Sequence, residues 1–264
     1  MVTTKKTASG ISYSVCGKGP ALVLINGLSR SSSHWFGFED VLSDRFTVIS
    51  FDPRGIGESI NDSGWNLTIE GMADDVREII FQEQIESTFI YGFSLGGMVA
   101  LTLALKHPKL VKKIVCVNSS VGGTSLFRIH PKGLLALAKG SIGRSDLHME
   151  LSNLLLGSEL VPHMRRKAVE SWNSIERRHG RPVLQTIKQL GAAIRFTNPR
   201  RLKQISVPAL IICGANDRFV PMSNSRTIAR LIPNSSLRCI PYGGHELHVD
   251  KPLIVKTLLN DFLL

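Results

Sequence analysis

Short apolar runs alternate with segments of helical periodicity along most of this chain. The runs predict strands over residues 11–16, 21–25, 46–51, 88–91, 113–117, 209–213 and 236–240. Amphipathic spacing predicts helices over 69–84, 95–106, 223–231 and 252–263. The runs ALVLI and ALIIC are continuously hydrophobic, as strands buried on both faces are. Strand and helix in alternation predict a mostly parallel central sheet with helices on both faces, an α/β fold.

One stretch departs from this pattern. From 121 to 203 there is no convincing strand, only helical spacing interrupted by glycine and proline. Met164, Ala168, Trp172 and Ile175 recur at intervals of three or four, and Val183, Ile187, Leu190 and Ile194 do the same after Pro182. The expected organisation is a core domain made of 1–120 and 204–264, with a helical lid over 121–203 inserted into it. The opening residues MVTTKKTASGISYS hold two lysines with no apolar run after them, and nothing approaches the roughly 20 apolar residues of a membrane span. A cytoplasmic protein without a transmembrane segment is expected.

Composition adds little to the fold. With 264 residues, 43% of them hydrophobic, the chain can bury a large core. Charge is more informative: 32 Lys and Arg against 21 Asp and Glu give +11, and 121–203 alone holds fifteen of the basic residues and five of the acidic ones. The excess is therefore concentrated in the expected lid, which points to an acidic partner. Basic residues there are not interleaved with aromatics in a nucleic-acid-binding motif, so nucleic acid is not expected. Cys16, Cys116, Cys213 and Cys239 lie inside apolar runs without CxxC spacing, and read as buried reduced thiols.

The most informative segment is TFIYGFSLGGMVALTLALKHP. An apolar strand runs into Gly92-Phe93-Ser94-Leu95-Gly96 and straight on into an Ala/Leu-rich helix, the strand–turn–helix context a G-x-S-x-G nucleophile requires. The glycines allow strand and helix to approach closely, and the helix N-terminus sets the Leu95 amide where an oxyanion would develop. A serine hydroxyl needs a base, and the base a carboxylate to fix its tautomer. Asp217, after the strand ALIICG, and His245, in the loop GGHELHVDKP, follow strand ends where open α/β sheets place their sites. His248 is the main rival base; Asp250 and Asp261 are rival acids.

These features resemble the α/β-hydrolase family over nearly the whole length. The order Ser94, Asp217, His245 is the family's, and 121–203 falls where its members carry a lid. The turn Asn26-Gly27-Leu28 stands where the family commonly has His-Gly and an oxyanion-hole donor, so the resemblance implies that the Leu28 amide joins that of Leu95. Asp52-Pro53-Arg54-Gly55-Ile56-Gly57-Glu58-Ser59 matches a family turn that marks fold rather than reaction. Serine at the elbow, where epoxide- and halide-processing relatives have aspartate, implies acyl transfer to water without metal or cofactor.

The G-x-S-L-G-G elbow and the lid length are similar to those of esterases that demethylate pimeloyl-acyl carrier protein in biotin synthesis, and also to carboxylesterases and enol-lactonases. On that reading an acidic acyl carrier protein docks on Arg166, Lys167, Arg177 and Arg178, with Trp35 and Phe93 as substrate-binding side chains. Lactonase, perhydrolase or carbon–carbon hydrolase activity, and a ligand sensor that keeps the triad, are the alternatives.

Overall fold

The computed structural model describes residues 2–59, 67–121, 147–196 and 199–264, together with Ile129 and Pro131. Eight strands form one sheet: β1 (Thr3–Lys6), β2 (Ser12–Gly17), β3 (Ala21–Ile25), β4 (Thr47–Phe51), β5 (Thr88–Phe93), β6 (Val111–Val117), β7 (Ala209–Gly214) and β8 (Ser235–Ile240). Their order is β1-β2-β4-β3-β5-β6-β7-β8. The β1–β2 and β2–β4 pairs are antiparallel, and every later neighbour is parallel.

Seven of these strands answer to the apolar runs. The eighth, β1, has the sequence TTKK and is exposed at all four positions, so it has no hydrophobic signature. Its lysines suit an edge strand, where charge discourages pairing with another chain.

Helices cover both faces: α1 (Phe38–Leu42), α2 (Ile69–Gln82), α3 (Leu95–Lys106), α4 (Leu147–Leu155), α5 (Pro162–His179), α6 (Val183–Arg195), α7 (Met222–Leu231), α8 (Leu247–Asp250) and α9 (Pro252–Leu263). One face of the sheet packs with α2 and α3 through Val23, Ile90, Ile114 and Ile211; the other packs with α1 and α9 through Leu24, Tyr91, Val115 and Ile212. Helix α3 is apolar all round, because it lies between the sheet and α2 rather than at the surface.

Between β6 and β7 the described residues form α4, α5 and α6. Arg128, Lys132, Lys139, Arg144 and Asp146 of the charge-rich stretch lie outside the described residues. Helix α5 buries Ala168, Val169 and Trp172, close to the expected stripe, against Leu154–156, Phe219 and Val249. Helix α6 differs from expectation. Its buried face is Gln185, Gln189, Ala192 and Ala193, while Val183, Leu184 and Ile187 are exposed. The reason is polar: Gln189 Oε1 accepts from Ser29 N at 2.8 Å and Gln185 Nε2 donates to Arg54 O at 2.5 Å. Loop backbone groups at these places need side-chain partners, which alkyl side chains cannot supply.

The cysteines also depart from expectation. All four are free, but Cys239, on the edge strand β8, is exposed and Cys16 is half-buried, whereas Cys116 and Cys213 are buried.

Candidate active site

The turn from β5 into α3 is held in a conformation that few residues adopt. Ser94 sits at φ 53° and ψ −116°, a region costing a side chain roughly 1–3 kcal/mol. The surrounding glycines are compelled by space. A Cβ at Gly92 would lie 2.3 Å from Gly96 O, and one at Gly96 would lie 2.1 Å from Ile25 O. Ser94 N donates to Val117 O at 2.8 Å, while Gly97 N and Ser119 Oγ donate to Ser94 O at 3.0 and 2.7 Å. The hydroxyl is therefore fixed at the C-terminal edge of the sheet.

His245 reaches that hydroxyl from the loop after β8. Its Nε2 lies 3.1 Å from Ser94 Oγ, and its Nδ1 lies 2.8 Å from Asp217 Oδ2. An ionised carboxylate only accepts, so Nδ1 carries the proton and Nε2 is left to accept from the serine. Asp217 Oδ1 is occupied by Phe219 N and Val220 N, each at 2.8 Å, which fixes the carboxylate's plane. The imidazole packs with Phe93 and Phe219, each with its ring centroid 4.9 Å away. The histidine and aspartate side chains are almost wholly buried.

The expected oxyanion donors are the backbone amides of Leu95 and Leu28. Leu95 opens α3, so its N–H is one of those the helix cannot pair internally. Leu28 lines the same cavity as Ser94, and the amides on either side of it are engaged: Gly27 N with Asn26 Oδ1 at 2.8 Å, Ser29 N with Gln189. Asn26 Nδ2 donates to Ser31 O at 3.0 Å, so this asparagine braces the loop from both ends of its amide. A Cβ on Gly27 would meet the Phe93 ring at 3.0 Å and Ser94 Cβ at 3.2 Å, so a larger residue there would press on both side chains.

The turn that follows β4 is a scaffold. Asp52 Oδ1 accepts from Ser32 N and Ser32 Oγ, both at 2.7 Å, and Oδ2 from Glu58 N at 2.8 Å. Ser59 Oγ donates to Asp52 O at 2.6 Å, and Arg54 pairs with Asp75.

Other expected site residues are placed differently. Phe93 lines the cavity, but Trp35 has no exposed surface and packs with Phe38, Tyr91 and His248 in the core. Its indole is directed there because the turn of helix at Ser32–Trp35 lies against the sheet face covered by α1. Arg166, Lys167, Arg177 and Arg178 are exposed on α5, and none lines the cavity. His248, the rival base, is buried within that same aromatic cluster. Burial holds it at about 4, so it stays neutral.

Support for His245 comes from Asn118, which carries no motif, and from Asp250 in another role than that of a rival acid. Asn118, at the end of β6, donates through Nδ2 to Gly244 O at 3.0 Å and His245 O at 2.6 Å, and accepts from Gly214 N at 2.9 Å. Asp250 Oδ2 accepts from both Gly244 N and Gly157 N at 2.7 Å, and burial raises the carboxyl to about 6. An asparagine closing an apolar strand, as in IVCVN, is the signal that points to the first. The cavity wall also holds an ion pair between Arg30 and Glu246, with the guanidinium carbon 4.6 Å from the Trp172 ring. The cavity measures about 470 Å³ and is bounded on its far side by α4, α5 and α6.

The family described as alpha/beta hydrolase fold matches residues 20–252. The chain belongs to it. This α/β hydrolase is 28% identical over 250 residues to a protein of Agrobacterium fabrum named "Putative carbamate hydrolase RutD", with 94% of each chain covered. A thermophilic esterase from Thermogutta terrifontis superposes with a TM-score of 0.80 at 23% identity, covering 100% of this chain and 98% of that one. A meta-cleavage product hydrolase from Pseudomonas fluorescens superposes with a TM-score of 0.80 at 22% identity, covering 98% and 97%. Those structural likenesses speak to the shared fold, and the family with its hydrolase-named relatives makes this chain a hydrolase. Among the described residues, no helix is long and apolar enough to cross a membrane.

Proposed function

We propose that this α/β hydrolase cleaves carboxyl esters through an acyl-enzyme on Ser94. The observation that carries this reading is the chain of contacts from Asp217 Oδ2 through both nitrogens of His245 to Ser94 Oγ, opening on one cavity. Ser94 Oγ attacks the acyl carbonyl as His245 Nε2 takes its proton. The Leu28 and Leu95 amides hold the oxyanion, and Asp217 stabilises the imidazolium. The imidazolium then protonates the leaving alcohol, and water repeats the sequence on the acyl-enzyme. Burst kinetics with p-nitrophenyl acetate test this: one equivalent of p-nitrophenol per enzyme in a fast phase is expected, and none with Ser94→Ala.

A second reading is favoured by the carbamate hydrolase name that the 28%-identical relative carries. The same groups would attack a carbamoyl carbon, and a polar end to the cavity, with Arg30 and Glu246 side by side, suits such a substrate. Comparing kcat/KM on matched ester and carbamate substrates separates the two.

A finer form of the ester reading takes the helices between β6 and β7 as a lid and gives the cytoplasmic enzyme a carrier-bound methyl ester, as in biotin synthesis. It is supported by the exposure of Arg166, Lys167, Arg177 and Arg178 on the lid's outer side, where they could steer an acidic carrier protein. Replacing all four with Glu should depress activity on methyl pimeloyl-carrier far more than on a free small ester, and the difference should shrink in high salt. Equal losses on both substrates would exclude carrier docking there.

A further inference from the structure

Cys213 and Cys239 stand directly opposite each other on neighbouring parallel strands, β7 and β8. Paired positions in a sheet direct their side chains to the same face, and adjacent strands run about 4.8 Å apart, inside the 4.4–6.8 Å Cα separation that disulfides span. The two thiols differ in access: Cys239 is exposed on the edge strand, whereas Cys213 is 1% exposed. Neither belongs to the catalytic arrangement. Yet Asp217 lies four positions beyond the first, and His245 six beyond the second.

We propose that Cys213 and Cys239 form a reversible disulfide, an oxidative modification site that staples the two strands from which Asp217 and His245 emerge. The oxidant is hydrogen peroxide. Cys239 meets it first, because Cys213 is shielded by burial and, with the neighbouring Cys239 thiol and Asp217 adding to that effect, is pushed up to about 12 and stays protonated. Peroxide transfers one oxygen to Cys239, giving a sulfenic acid and one water. The Cys213 sulfur then displaces that oxygen: the S–S bond forms, the S–O bond breaks, and a second water leaves with the Cys213 proton. Two thiols are oxidised by two electrons and one peroxide is reduced to two waters.

The exposed Cys239 sulfur leaves the bond open to attack by a thiol reductant, which makes the modification reversible. Its effect has a short path to the site. Gly214, next to Cys213, is packed so closely that an added Cβ would lie 2.3 Å from Gly244 O and 2.4 Å from Gly243 O. Asn216 N also donates to Gly243 O at 2.9 Å. Drawing β7 toward β8 therefore presses on the loop that holds His245.

The cross-link itself is independent of the reaction assigned to Ser94; only its effect on turnover rests on that reading. The test treats the full, reduced protein with hydrogen peroxide and maps peptides without reductant. Loss of two hydrogen atoms from the intact mass, a peptide joining Cys213 to Cys239, and reversal by dithiothreitol are expected, with Cys239→Ser and Cys213→Ala each abolishing the joined peptide. Cys16 and Cys116, which have no cysteine opposite them in the sheet, should remain free. Separate peptides with oxygen on Cys239 alone would overturn the proposal. In the cross-linked protein kcat on a small ester should fall roughly tenfold and recover on reduction, as small displacements of catalytic groups are costly. Full cross-linking with unchanged kcat would overturn the coupling to the site, and loss of activity in peroxide-treated Cys239→Ser would trace the loss to another group.

Discussion

Asp217 and His245 meet through Oδ2 and Nδ1 at 2.8 Å, each held on a loop that follows one of two adjacent parallel strands. The other aspartate oxygen is committed to two backbone amides, so the carboxylate presents a single acceptor to the imidazole. Asp217→Asn replaces that acceptor with an amide that can offer an N–H instead, favouring the tautomer in which Nε2 is protonated and cannot accept from Ser94. The expected result is a fall in kcat of about 10⁴, of the size known for this substitution in a serine protease, with KM little changed. Steady-state kinetics on a p-nitrophenyl ester measure it.

Asn118 acts one layer out. It joins the ends of β6 and β7 to the carbonyls of Gly244 and His245 without touching Ser94 Oγ, which makes it a positioning residue. Asn118→Ala leaves two buried carbonyls and the Gly214 amide short of a partner, at about 1–3 kcal/mol for each unsatisfied group. A lower Tm is expected together with a ten- to hundredfold loss in kcat. Fluorophosphonate labelling should slow in parallel, since it needs the same alignment.

Glu246, next to His245 in the chain, is held by Arg30, and the side chains of the pair are 2% and 13% exposed. Removing one member of a buried pair strands the other's charge, at a cost of about 3–5 kcal/mol. Arg30→Met should therefore lower the denaturation midpoint markedly, whereas Arg30→Met combined with Glu246→Gln should recover much of the loss. Urea titrations of the two variants provide the comparison.

Stability should also respond to acid through His248. Its folded-state value is lowered from 6.5 to about 4 by burial, so between those values the unfolded chain binds the proton that the folded one refuses. Its contribution is whole above pH 6.5 and is lost as pH falls toward 4, amounting to about 3 kcal/mol. His248→Leu should flatten the dependence of Tm on pH across that window, relative to the parent, whatever it does to Tm at neutral pH.

The parts of this molecule legible in the sequence are those written in local rules. Continuous apolar runs mark strands buried on both faces, and Gly92-x-Ser94-x-Gly96 encodes a steric demand that the surroundings of Gly92 and Gly96 make explicit. Long-range arrangement is less legible. Strand β1 has no hydrophobic face to read, being exposed at every position. The inward face of α6 is set by loop groups near Ser29 and Arg54, distant in sequence, which is why glutamines lie inside and Val183 and Ile187 outside. Trp35 looks available to substrate from its neighbourhood in the chain, but it fills the space above Tyr91 and His248. Asp250 follows His245 too closely to be its acid and instead braces Gly244.

The central claim is that Ser94 is the nucleophile, and active-site labelling tests it most directly. A fluorophosphonate added to the native protein, followed by peptide mapping, should place one phosphonyl group on Ser94, with ester turnover lost in proportion to labelling. Ser94→Ala should show neither the label nor the turnover. Label on another residue, or ester hydrolysis undiminished in Ser94→Ala, would contradict the account.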